Sequence, residues 1–135
     1  MNAARVANEQ RGPVMATPIG PYSPIVRLGE VLITSGQLGV VAGPEGAPVL
    51  VEGGTTAQLA QALANGLALL ESEGASKTDI AKATLFVTDM GEFASVNEVW
   101  VAFFGEHRPA RTAIGVAALP MGATVEVELW AAASA

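Results

Sequence analysis

The chain has 135 residues, no cysteine and one histidine, His107. That excludes disulfides, thiolate nucleophiles and cysteine-ligated metals together. A metal would have to rest on carboxylates, and no loop has the spacing of a carboxylate cation site. Basic residues are scarce: seven lysines and arginines face thirteen acids, for a formal net charge of -6. Arg5, Arg11, Arg27, Lys77, Lys82, Arg108 and Arg111 form no run, so the electrostatic footprint of a nucleic-acid binder is missing. No apolar run reaches membrane-spanning length, and Met1 to Val14 lacks the apolar centre of a signal peptide, so the cytoplasm is the expected location. Gly43, Gly46, Gly53 and Gly54 lack the spacing of a dinucleotide loop, and no lysine-serine pair follows them as in a phosphate loop.

What is present is apolar. Half of the residues are hydrophobic and only 15% are charged, against about 25% in an average soluble chain. The length fits one domain, expected over residues 16–135 behind a polar, flexible extension over 1–15. One small domain cannot bury that much apolar surface. A partner should cover part of it, and a second copy of the chain is the simplest partner.

The hydrophobic pattern predicts the order β-β-α-β-α-β-β. Pro24 to Leu28 and Val31 to Gln37 read as strands around Gly29-Glu30. In the second, Val31, Ile33, Ser35 and Gln37 share a face by alternation. The glycine- and proline-rich stretch from Val41 to Gly54 reads as a loop. Leu59, Leu63, Leu67 and Leu70 predict a helix over Thr55 to Glu73, with Thr55 and Gln58 as its capping box and Gly74 as its stop. Ile80 to Thr88 reads as a strand. Asp89 and Glu92 open a second helix with the stripe Phe93, Val96, Trp100 and Phe103, and Gly105 ends it. Ala110 to Ala118 and Thr124 to Ala131 are the last strands. This is an α+β pattern: a single sheet with two helices on one face. The other face is left bare, a second reason to expect subunits packed sheet to sheet.

The chemistry is expected around Arg111. Alternation places Arg111, Ala113, Gly115 and Ala117 on one face, so small neighbours leave room beside a guanidinium whose fork suits a carboxylate. The alternative is a strand-end arginine, solvated or paired with Glu126 or Glu128. Those two glutamates share a face of the last strand. One of them could hold a water, and beside an arginine it should stay ionised. Tyr22 in the rigid Gly20-Pro21-Tyr22-Ser23-Pro24 entry, and Ser35 in Ser35-Gly36-Gln37, could offer hydroxyls to a ligand. Ser35 has no histidine nearby to act as a serine-hydrolase base. Asn97 lies between Phe93 and Trp100 on the second helix, where a hydrogen bond to neighbouring backbone is the ordinary expectation. His107 reads as a surface loop residue.

In order and spacing, several segments together closely resemble the reactive intermediate deaminase family, Rid, also called YjgF-like. They are Ile19-Gly20-Pro21-Tyr22-Ser23, Ile33-Thr34-Ser35-Gly36-Gln37, Val87-Thr88-Asp89-Met90, Phe93 through Asn97-Glu98-Val99, Arg108-Pro109-Ala110-Arg111-Thr112, Val116-Ala117-Ala118-Leu119-Pro120 and Val125-Glu126-Val127-Glu128. The resemblance runs from about Pro18 to Ala132. It implies a chorismate-mutase-like α+β fold, a last strand inserted beside an earlier one, and a homotrimer with sites in the clefts between subunits. It implies cofactor-free hydrolysis of 2-imino or 2-enamino acids, small-molecule substrates, to 2-oxo acids and ammonia, with no metal. Arg111 matches the family's carboxylate-binding arginine and Glu126 the glutamate that holds water; Tyr22, Ser35 and Asn97 match positions lining the site. Ala113 stands where some members have cysteine. Gly115 replaces a larger residue, which implies a wider pocket, and the N-terminal extension is longer than usual. The rival readings are a non-catalytic trimer that senses a 2-oxo acid, an endoribonuclease or translation inhibitor as reported for some relatives, and a holdase chaperone. Scarce basic residues argue against the RNA reading.

Overall fold

A computed structural model describes residues 4–6 and 20–133. The elements are β1 (Ala4–Val6), β2 (Ile25–Leu28), β3 (Val31–Thr34), β4 (Gln37–Leu38), β5 (Val40–Ala42), β6 (Pro48–Leu50), α1 (Gly54–Ser72), β7 (Ile80–Val87), α2 (Phe93–Phe104), β8 (Ala110–Gly115) and β9 (Val125–Ala132). The main sheet runs β1-β2-β3-β9-β7-β8, with β4 also paired to β9. This is the expected α+β architecture, and β9 does insert between β3 and β7. Of the predicted N-terminal extension, Ala4–Val6 is a strand antiparallel to β2; residues 1–3 and 7–15 lie outside the described residues. Among the described residues, no helix is long and apolar enough to cross a membrane.

Alternation along β9 sets the two faces of the sheet. Val125, Val127, Leu129 and Ala131 are fully buried and pack with Leu59, Leu63 and Leu70 of α1 and Val96, Trp100 and Phe104 of α2. The intervening Glu126, Glu128 and Trp130 lie on the other face, and no helix among the described residues packs there. Strand register carries that face across the sheet: Phe86 pairs with both Glu126 and Ile114, and Ile33 with Trp130. Ile114 and Trp130 are both exposed, so the open face is apolar around its charges, as the composition implied.

Four local expectations are corrected. The stretch read as a loop from Val41 to Gly54 contains a hairpin, with Val40 opposite Leu50 and Val41 opposite Val49. Its glycines and prolines supply the turn and mask two very short strands. Asn65 of α1 fixes the hairpin by donating to the carbonyls of Leu38 and Val40.

Thr55 and Gln58 do not form a capping box. α1 begins one residue earlier, behind a left-handed Gly53, and the Thr55 hydroxyl bonds Glu92 Oε1 at 2.9 Å and Thr124 Oγ1 at 2.7 Å. Gln58 instead accepts from the Thr124 N–H. Both side chains are buried, and tertiary partners satisfy them better than a local cap. Glu92, drawn to Thr55, leaves Asp89 to cap its short 3-10 turn alone through the Gly91 N–H.

The predicted strand from Val31 to Gln37 is broken. Ile33 pairs with Trp130 and Gln37 with Val127, so β3–β4 advances by one residue more than β9. This bulge moves Gln37 off the face it would share with Ile33. The interrupted ladder leaves the Leu129 N–H to the buried Thr34 hydroxyl, at 3.0 Å. The last of the four is the strand predicted over Ala110 to Ala118, which ends at Gly115.

Candidate functional site

Arg111 stands on the edge strand β8 in register with Ala83, a core residue that is also in register with Leu129. Its side chain therefore lies on the helix side of the sheet. There its Cζ sits 5.1 Å from the Phe93 ring and 5.0 Å from the Trp100 ring, within cation–π range. Among the described residues the guanidinium has no carboxylate and no hydrogen-bond partner. Within one chain Arg111 is therefore not paired with Glu126 or Glu128. Partial burial lowers its pKa from the ordinary value, which leaves it cationic at neutral pH. Asn97 is four residues after Phe93 and three before Trp100, on the same stripe of α2. Its amide makes no hydrogen bond to another described residue, so the expected bond to neighbouring backbone is not there.

Glu126 belongs to a different place. It is half-buried on the open face, in register with Phe86 and Leu38. The bulge brings Gly36 against it: a Cβ on Gly36 would meet the Glu126 carboxylate, with Cδ 2.8 Å away. Burial, and then the like charge of Glu128, push the Glu126 pKa above the usual carboxylate range. Within one chain the charged neighbour that shifts Glu126 is Glu128 rather than an arginine.

Ser35 adjoins the same bulge. Its hydroxyl donates to the Ser23 carbonyl at 2.6 Å and its N–H to the Pro24 carbonyl at 2.8 Å. The Gly20–Pro24 segment is thereby tied to the bulge, and it carries the exposed Tyr22. Ser35 is committed to holding that segment, with its oxygen lone pairs left to accept.

The predicted residues thus fall into two groups. Arg111 and Asn97 are on the helix side at the β8 edge; Glu126, Ser35 and the Tyr22 segment are together at the bulge. β7 separates β8 from β9, roughly 10 Å between the outer backbones, and the two groups face opposite ways. One chain cannot close both around one small acid. Sequence reasoning missed Phe93 and Trp100 as the seat of the guanidinium and Gly36 as the space for the carboxylate. The helical spacing of the rings around Asn97 was the available signal for the first; for the second it was Gly36 itself, since a glycine within a strand marks a bulge or a close approach. His107 is partly buried, its Nε2 2.7 Å from the Ile80 carbonyl, a tie between loop and strand. No three His, Cys, Asp or Glu side chains among the described residues are placed to hold a metal ion. A hollow of about 240 Å³ beside Val31, Lys82 and Trp130 is lined almost wholly by apolar surface, and contains none of these residues.

Residues 14–133 match a family model described as Endoribonuclease L-PSP. A 2-iminobutanoate/2-iminopropanoate deaminase of Escherichia coli is 42% identical over 113 residues, 82% of this chain and 85% of that protein. Escherichia coli TdcF, solved with bound serine, superposes with a TM-score of 0.81 at 35% identity, covering 92% of this chain and 97% of that one. RidA from an Antarctic Psychrobacter gives a TM-score of 0.81 at 39% identity, over 90% and 96% of the two chains.

Proposed function

The chain belongs to the Endoribonuclease L-PSP family, the YjgF/Rid family, and from that membership we propose that it hydrolyses 2-imino and 2-enamino acids to 2-oxo acids and ammonia without a cofactor. The observation that carries this reading is the Arg111 guanidinium, unpaired among the described residues and seated on Phe93 and Trp100 above the small side chain of Ala113. Its free donors suit a carboxylate gripped by two parallel hydrogen bonds. The deaminase name of the Escherichia coli relative supports the same chemistry.

Each active site is assembled from two copies of the chain. Arg111 and Asn97 of one copy supply the carboxylate grip, and Glu126, Ser35 and Tyr22 of the next close the cleft. The open sheet face, with Ile33, Phe86, Ile114 and Trp130 around its charges, is the packing surface of a homotrimer. Within the cleft, Glu126 holds a water against the imine carbon. There it acts as the general base for that water. Water adds across the C=N bond, and Glu126 takes its proton and passes it to nitrogen. The carbinolamine then collapses: its hydroxyl proton passes to nitrogen, the C–N bond breaks, the carbonyl forms, and ammonia leaves. Arg111 fixes the carboxylate so that the carbon faces the water.

The test generates imino acids with an amino-acid oxidase and traps the survivors with semicarbazide. Native protein should lower the trapped fraction, and Arg111→Ala should not. Unchanged trapping with native protein across several side chains would remove the deaminase reading, and equal suppression by both proteins would remove Arg111 from it. The net charge of -6 and the absence of a basic run favour a small acid over the RNA that the family description names.

A further inference from the structure

We infer that Met90, lying across Gly115, sets the size of side chain that the Arg111 cleft accepts; this rests on Arg111 being the carboxylate anchor. Gly115 ends β8 with no positive φ, so its backbone does not require glycine, and glycine within a strand weakens it. Met90 accounts for the residue. A Cβ on Gly115 would stand 3.1 Å from Met90 Cγ and 3.6 Å from Sδ. The space expected to widen the pocket is therefore occupied by a thioether.

The path of the chain places this contact next to the anchor. β7 and β8 are parallel, so the crossover helix α2 descends between them. Phe93 lies toward the Gly115 end of β8 and Trp100 toward the Arg111 end. A guanidinium touching both rings has extended over Ala113 in the direction of Gly115. An acid held there by its carboxylate presents its side chain to the small floor of Ala113 and Gly115, and Met90 closes the far end. Met90 is half exposed and has three rotatable side-chain bonds, so it is a wall that yields. A broad range of short aliphatic side chains follows, with a cost that grows as Met90 is displaced.

Calorimetric binding of pyruvate and of 4-methyl-2-oxopentanoate to native protein, Met90→Ala, Gly115→Ala and Gly115→Val separates the possibilities. Met90→Ala should shift the Kd ratio about tenfold toward the bulkier acid, the scale of a methylene or more in an apolar pocket. Gly115→Val should shift it the other way, and Gly115→Ala less so. Thermal melts run alongside identify a variant that has not folded, and Gly115→Ala then stands in for Gly115→Val. The same ratio in native protein, Met90→Ala and Gly115→Ala would overturn the inference, as would native protein that binds neither acid. Because the readout is binding, a protein that binds both acids with the shifted ratio but leaves imines to the trap would support the inference while the deaminase reading fell.

Discussion

The Glu126 carboxylate occupies the space beside Gly36 that the Cβ of any other residue would fill, its carboxyl carbon 2.8 Å from that point. The extra residue between Ile33 and Gln37 brings the glycine there, so a backbone irregularity in one strand places a carboxylate on another. Gly36→Ala should push Glu126 aside and lower kcat about 100-fold, the scale of an ångström's misplacement of a reacting group. Stability should change little, since the displaced group is the end of a flexible side chain. The double variant Gly36→Ala/Glu126→Gln should be no slower than Glu126→Gln alone; additive losses would show that Gly36 acts through something else.

The proposed sharing of each site between two copies predicts complementation. Arg111→Ala and Glu126→Gln should each be inactive alone. After unfolding and refolding together in equal amounts, they should recover about a quarter of native activity, the share of clefts that draws a native half from each copy in a cyclic oligomer. No recovery from a mixture shown to have exchanged subunits would place Arg111 and Glu126 in separate functions.

Arg111→Lys keeps the charge and loses the planar fork and its stacking on Phe93 and Trp100. kcat/KM should fall about 100-fold, because a point charge replaces two parallel hydrogen bonds. The urea midpoint should stay near the native value, since the guanidinium makes no hydrogen bond or ion pair to a described residue. A fall in stability as large as the fall in activity would make Arg111 a structural residue.

Glu126 gives the fold a pH signature. Its pKa is raised by burial and by Glu128, so the folded state holds this proton more tightly than the unfolded chain. The stabilisation is complete below the unfolded value, about 4.3, and is lost as pH rises through the raised folded value. Glu126→Gln should therefore melt higher than native protein at pH 8, and the difference should shrink toward pH 4. Melts at several pH values would show this, and a Glu126→Gln protein less stable than native at pH 8 would contradict it. The same variant should be inactive, a residue kept for function at some cost in stability.

The elements set by local pattern were legible. Leucines at helical spacing marked α1, the aromatic stripe marked α2, and strict alternation separated Val125, Val127 and Leu129 from Glu126 and Glu128. The row of small residues beside Arg111 was legible on the same ground. Thr55 was misread because its hydroxyl is satisfied by Glu92 and Thr124, partners 37 and 69 residues away that no capping pattern reveals. The β5–β6 hairpin was hidden because its strands are shorter than the turn that joins them.

By itself the sequence determined which side of each element is apolar, since periods of 3.6 and 2 are properties of the backbone; residue type pointed to Arg111 with the pair Glu126 and Glu128, and the family resemblance alone pointed to Glu126 of the two. Only the tertiary structure decided how those faces meet. β9 enters the sheet between β3 and β7, the bulge opposite it sets Gly36 under Glu126, and Arg111 turns to the other face. Strand pairing joins residues far apart in the chain: the registers of β8 and β9 across β7 send Arg111 and Glu126 to opposite sides of the same sheet, and one extra residue between β3 and β4 reverses the face of Gln37.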